Sequence, residues 1–206
     1  MTKAIVSDFG GVLTTPLSLG FMAYEEASGV SAEELGKAMQ CITEERGENP
    51  LFQLERGELS EAEFGRLLEA QLPERFELAE LRRHYFERLR PNEPMIGYMR
   101  DLRARGMRMA LCTNNVREWE PLWRAKLPEL DEIFEVVVDS AFVGTRKPEP
   151  RIFELTLERL GDGVQPEDCV LVDDLEVNCE GARALGMQAV RYESAAQAIP
   201  EIEALL

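Results

Sequence analysis

The sequence predicts an α/β protein with a Rossmann-like parallel sheet and a small helical cap inserted after the first strand. Three observations predict it. Short apolar segments alternate with helical patterns through the second half of the chain, the arrangement that builds βαβ units. Two of the apolar segments run directly into acids, at Asp8 and at Asp173-Asp174. Between about residues 15 and 89 the alternation stops, and four helical patterns replace it.

The first strand is the apolar run from Ala4 to Val6, and Asp8, Gly10 and Gly11 follow it. A continuous apolar run reads as a strand buried on both faces. In open α/β sheets the ligand crevice lies at the C-terminal ends of the strands. Helical patterns then fall near 17–28, 32–45, 61–71 and 77–89. Ser31 and Ser60 each precede a Glu by three residues, the capping-box signal for a helix start. Four more strands are expected at Met107–Cys112, Phe134–Val138, Cys169–Val172 and Met187–Arg191. Helices are expected near 94–105, 116–126, 150–160, 176–185 and 194–205. The domain organisation that follows is a core of residues 1–14 and 90–206, with a cap of 15–89. An insertion at that point stands over the strand ends, where it can exclude water and select substrate.

Composition narrows the class. A chain of 206 residues is long enough for one α/β domain with an insertion. Its net charge of −16 argues against nucleic acid and against an anionic membrane as partners. It also means that an anionic substrate has to be captured by local cations. No apolar run reaches the length of a membrane span, and no basic segment leads into a long apolar core. A cytoplasmic location is expected. Cys41, Cys112, Cys169 and Cys179 show no C-x-x-C spacing and read as reduced, largely buried thiols. The single histidine, His84, lies in a charged helical segment and reads as a helix-surface residue. The oligomeric state, monomer or dimer, is not legible.

Four segments carry chemistry. Asp8 at a strand end suits a nucleophile or a metal ligand, and equally a loop cap. In LCTNN, Thr113 closes a strand and Asn114 follows. A hydroxyl and backbone amides there suit an anionic oxygen, although Thr-Asn is also ordinary turn chemistry. In GTRKPEPRIFE, Pro148 and Pro150 stiffen the loop that carries Lys147, a point charge for phosphate or a solvated loop lysine. In VLVDDLEVNCEGARALGM, adjacent carboxylates at a strand end repel one another unless a cation sits between or beside them. Mg²⁺ is the natural one, because it accepts carboxylates, waters and phosphate oxygens.

In this order, Asp8, Thr113, Lys147 and Asp173-Asp174 resemble the four motifs of the haloacid dehalogenase superfamily, and Asn178 and Gly181 match the end of the fourth. DFGGVL, LERGELS, RKPEPRIF and VDDLEVNCEGARALGM further resemble one subgroup, which contains bacterial α-glucose-1-phosphate phosphatase and the phosphatase domain of soluble epoxide hydrolase. The resemblance implies an Mg²⁺-dependent phosphatase that acts on a small phosphorylated metabolite through an aspartyl-phosphate on Asp8. It implies that Asp8, the Gly10 carbonyl and Asp174 ligate Mg²⁺, with Asp173 beside them as a ligand or as an acceptor behind the ligands. It assigns the transferring phosphoryl group to Thr113, Asn114 and Lys147. Arg56, in LERGELS, is a candidate for substrate contact or part of an exposed turn.

One position departs from the pattern. Most of these phosphatases place a second Asp two residues after the nucleophile, to protonate the leaving group; here that residue is Gly10. General acid–base catalysis is typically worth ~10²–10⁴-fold. Two other functions therefore stay open. A metal-free haloacid dehalogenase would share Asp8 but has no use for the paired acids. A catalytically weak binding protein would keep the fold and the metal site.

Overall fold

The computed structural model describes residues 3–73, 76–161 and 163–206. Its strands are β1 (Ala4–Ser7), β2 (Arg108–Thr113), β3 (Val136–Asp139), β4 (Cys169–Asp173) and β5 (Gln188–Arg191). All four pairings are parallel, in the order β3-β2-β1-β4-β5. β1 is therefore the central strand, and its four residues are all buried.

The helices between β1 and β2 are α1 (Ser18–Ser28), α2 (Ala32–Arg46), α3 (Pro50–Glu55), α4 (Glu61–Glu69), α5 (Leu78–Arg88) and α6 (Glu93–Ala104). After β2 come α7 (Glu120–Arg124), α8 (Leu130–Ile133), α9 (Ser140–Val143), α10 (Pro150–Leu160), α11 (Glu176–Ala184) and α12 (Ala195–Glu203). Both capping boxes form, at Ser31–Glu34 and Ser60–Glu63. α3 was not expected. Six residues are too few to show a helical period, yet Asn49 caps it and Pro50 opens it, which is a recognised start signal. The single helix expected at 116–126 is instead a 3-10 turn over Arg117–Trp119 followed by the short α7. Pro121 sits in the first turn of α7, where its missing N–H costs nothing. α8 and α9 are likewise too short to show a period.

Side chains alternate across the sheet. Ile5, Met109, Leu111, Val170 and Val172 face a core shared with α6, α12 and the helices α1–α5. Ala4, Val6, Ala110, Cys112 and Val138 face the other core, with Ile152 and Phe153 of α10 and Ala182 of α11. The sheet is thus covered on both faces, as its apolar strands require. The two connections between the insert α1–α5 and the sheet run side by side. Thr14 and Pro91 form an antiparallel bridge, the Thr15 N–H donates to the Arg90 carbonyl (2.9 Å), and the Asn92 N–H donates to the Leu13 carbonyl (2.9 Å). All four cysteines are free thiols, and Cys112, Cys169 and Cys179 are buried. Among the described residues no helix is long and apolar enough to cross a membrane.

Candidate active site at the strand ends

β1 and β4 end side by side, so their C-terminal acids meet. The Asp8 N–H donates to the Val172 carbonyl at 2.9 Å, which extends the β1–β4 ladder by one residue and fixes Asp8 beside Asp173. Asp8, Asp173 and Asp174 each bring a carboxylate oxygen within 4.8 Å of the others. The Lys147 ammonium stands among them, 2.8 Å from Asp8 Oδ1 and 2.6 Å from Asp173 Oδ2, and is 1% exposed.

The two acids of the β4 pair sit in different environments. Asp173 is fully buried. Its Oδ1 accepts from the Leu175 N–H and from Asn178 Nδ2, both at 2.9 Å, and its Oδ2 accepts from Lys147. Asp174 is half-buried, and its carboxylate has no hydrogen-bond partner from another described residue. Asp173 is therefore committed to holding Lys147 and the α11 N-terminus, while Asp174 and the second oxygen of Asp8 are free to accept a ligand.

Lys147 is positioned by a residue 33 positions away. Asn114 Oδ1 accepts from the Lys147 N–H at 2.8 Å, and Asn114 Nδ2 donates to the Lys147 carbonyl at 3.0 Å. The Asn114 side chain therefore grips the backbone on both sides of the lysine. Thr113 precedes it as the last residue of β2, at 1% exposure, in register with Asp139 on β3. The Lys147–Pro148 peptide is cis. Gly181 on α11 leaves room for this loop, since a Cβ there would stand 2.8 Å from Pro148 Cβ and 2.9 Å from the Pro148 carbonyl oxygen.

The two glycines after Asp8 are not equivalent. Gly11 has φ of +77°, and a Cβ on it would lie 2.3 Å from Asp174 Oδ2. Gly10 would meet nothing within 4 Å. Of the two, Gly11 is the one packed against the Asp174 carboxylate.

The electrostatics follow from burial and crowding. Burial pushes the Asp8 carboxyl up to about 7; Lys147 opposes the rise, and Asp173 and Asp174 add to it. Burial and then the Asp173 charge also raise Asp174. Burial would depress Lys147, but Asp173 and Asp8 outweigh it and hold the ammonium above its ordinary value. Three carboxylates facing one ammonium leave an excess of negative charge. A hard divalent cation fits that donor set, with Asp8 and Asp174 offering free oxygens.

Arg56 lies apart from this cluster. Its guanidinium is held by Glu48 (2.6 Å), Glu58 (2.8 Å) and Glu149 (3.2 Å). Next to it, Glu55 pairs with Arg146 at 2.5 Å, and Arg146 lies 4.0 Å over the Phe52 ring. These contacts tie the α3 segment to the loop that carries Lys147. Nothing in LERGELS alone announces them, because a charged residue does not reveal its partner. Two surface clefts of about 780 and 740 Å³ share Arg88 and Arg90, and none of the candidate site residues lines either.

The sequence model of the haloacid dehalogenase-like hydrolase family matches residues 2–186. The chain is 28% identical over 211 residues to bifunctional epoxide hydrolase 2 of Rattus norvegicus, a match covering 95% of this chain and 37% of that protein. It is 36% identical over 109 residues to glyceraldehyde 3-phosphate phosphatase of Methanopyrus kandleri, covering 52% of this chain and 45% of that one. The chain therefore spans less than half the length of these curated relatives. Among solved structures, a family enzyme of Bacteroides thetaiotaomicron in complex with magnesium and inorganic phosphate superposes with a TM-score of 0.70 at 21% identity. That match covers 94% of this chain and 95% of that one.

Proposed function

The chain belongs to the haloacid dehalogenase-like hydrolase family, and from that premise we propose that it is an Mg²⁺-dependent phosphomonoesterase acting on a small phosphorylated metabolite. The observation that carries the reading is the cluster of Asp8, Asp173 and Asp174 around Lys147. A metal-free dehalogenase has no use for the third acid. The glyceraldehyde 3-phosphate phosphatase among the relatives and the phosphate-bound structural neighbour point to phosphate as the group transferred.

In this reading Asp8 is the nucleophile. A carboxylate oxygen of Asp8 bonds to phosphorus as the ester bond breaks, and water then hydrolyses the aspartyl-phosphate. Asp8, Asp174 and the Gly10 carbonyl would hold Mg²⁺, which neutralises charge between two anions that otherwise repel. Asp173 keeps Lys147 in place rather than binding the metal itself, since its oxygens already accept three hydrogen bonds. Lys147, the Thr113 hydroxyl and the Asn114 backbone N–H stabilise the charge that develops on the phosphoryl oxygens. The Asn114 side chain aims the lysine. Residues 15–89 form a cap over the strand ends, and Arg56 contributes by bracing it. The four free cysteines suit the reducing cytoplasm in which we place the reaction.

The test is phosphate release from a panel of sugar, triose and aryl phosphates, with Mg²⁺ and with chelator. Mg²⁺-dependent release from at least one is expected. No release from any, or metal-independent halide release from a 2-haloacid, overturns the reading.

A further inference from the structure

The cleft of about 780 Å³ beside α1 has an apolar lining of Leu19, Met22 and Ala23. These positions are spaced i, i+3 and i+4, so they form one stripe along the helix. A surface helix normally turns such a stripe to the core. Here Gly20 and Tyr24 supply the buried side, while Leu19 is 42% and Met22 64% exposed.

The direction of α1 fixes where the charges around this stripe stand. α1 and α5 pack antiparallel. Before α1, the Thr15 hydroxyl donates to the Arg88 carbonyl (3.0 Å) and accepts from the Arg90 N–H (3.1 Å). Further along, a Cβ on Gly20 would stand 2.8 Å from Tyr85 Cα. Beyond that, the Tyr24 hydroxyl accepts from the Glu77 N–H at 3.0 Å. Arg88 and Arg90 therefore line the cleft at the N-terminal end of α1, and Glu25 and Glu26 line it towards the C-terminal end. All four are exposed, and none makes an ion pair among the described residues. The Arg90 guanidinium reaches only the carbonyl of its own neighbour Leu89, at 3.3 Å. Nearby Arg82 and Arg83, by contrast, are paired with Glu61, Glu80 and Glu87. The two acids also stand near the negative end of the α1 dipole, with no basic residue in the last turn to offset them.

We propose that this face is the interface between two copies of the chain, related by a two-fold axis near Met22 with their α1 helices antiparallel. A two-fold contact sets the same patch against itself. α1 is 11 residues and about 16 Å long, so an antiparallel copy places each of its ends beside the opposite end. Glu25 and Glu26 of one copy then face Arg88 and Arg90 of the other, twice over. The exposed Met22 and Leu19 become the apolar centre, and the four charges become the polar rim. A small anion is a poorer occupant, because the cleft that offers it two arginines also presents two glutamates. None of the candidate site residues lines this cleft, so the inference is independent of the phosphatase reading.

Sedimentation velocity on the full chain at concentrations up to about 100 μM tests it. Wild type should form a dimer that weakens as salt is added. Glu25→Lys with Glu26→Lys sets lysines against arginines, and Arg88→Glu with Arg90→Glu sets glutamates against glutamates. Each double reversal should raise the dissociation constant at least about 100-fold. The two reversed proteins, mixed, should form a heterodimer, since each now presents the sign that the other needs. Met22→Asp places like charges at the axis and should also give a monomer. All five positions are exposed, so the far-ultraviolet circular dichroism of every variant should stay that of wild type. A monomeric wild type overturns the proposal and gives the face to a different occupant. A dimer that survives either reversal, or a mixture that stays monomeric, overturns it as well.

Discussion

Gly10 and Gly11 are adjacent and chemically identical, yet the structure separates them. At Gly11 an alanine would meet two costs. Its φ of +77° is left-handed, which costs an L-residue roughly 1–2 kcal/mol. Its Cβ would also stand 2.3 Å from Asp174 Oδ2 and 2.7 Å from Asp174 Cγ. Ordinary contact begins near 3.4 Å, so Asp174 must retreat by about 1 Å. A displacement of that size at a reacting centre costs on the order of 10²-fold in rate. At Gly10 neither cost arises, and the change in stability should stay within ~0.5 kcal/mol. Gly11→Ala is therefore expected to lower the melting temperature by about 2–8 °C, to weaken Mg²⁺ binding and to cut turnover about a hundredfold. Gly10→Ala should match wild type in stability and in Mg²⁺ binding. Thermal melts, calorimetric Mg²⁺ titration and phosphate release measured on both proteins check this. If Gly11→Ala binds Mg²⁺ and turns over like wild type, or if Gly10→Ala fails as badly, the placement of Asp174 against Gly11 is wrong.

Further outcomes follow from the same site. Asp8→Asn should abolish turnover without lowering the melting temperature, because the amide keeps the shape but is no nucleophile; activity assays and melts on one preparation decide. Lys147→Ala should destabilise the fold by about 3–5 kcal/mol near neutral pH, since it leaves fully buried Asp173 without its cation. Denaturant unfolding measures this, and a loss below about 1 kcal/mol would contradict the pairing. Asp139 at the end of β3 is buried, with Oδ2 unpartnered, and burial pushes its carboxyl up to about 6. An acid raised in the folded state lowers stability as pH climbs through that range, by up to about 3 kcal/mol. Asp139→Asn should therefore raise the melting temperature near pH 8 and change it little near pH 4, and equal shifts at both would refute the burial argument.

The sheet and its acids were legible because burial on both faces forces continuous apolar strands, and an acid that ends such a strand stands out. β1 and β4 with Asp8, Asp173 and Asp174 are cases of this. What was hidden had no local pattern. The grip of Asn114 on Lys147 joins two loops that only the parallel β1–β2–β3 pairing brings together. Arg56 reads as a substrate contact or an exposed turn, but its place among Glu48, Glu58 and Glu149 depends on how the insert docks. The difference between Gly10 and Gly11 likewise needs backbone angles.

The ion pairs that brace the insert have a mechanical meaning. Glu55 and Arg56 grip Arg146 and Glu149, and Lys147 lies between those two partners in the chain. An upward swing of the insert must break both pairs or drag the lysine's loop with it. The position of the insert and the position of the lysine's loop are thus tied to one another through two ion pairs. Lys147 itself is held by the Asn114 side chain and by the carboxylates of Asp8 and Asp173, none of which belongs to the insert.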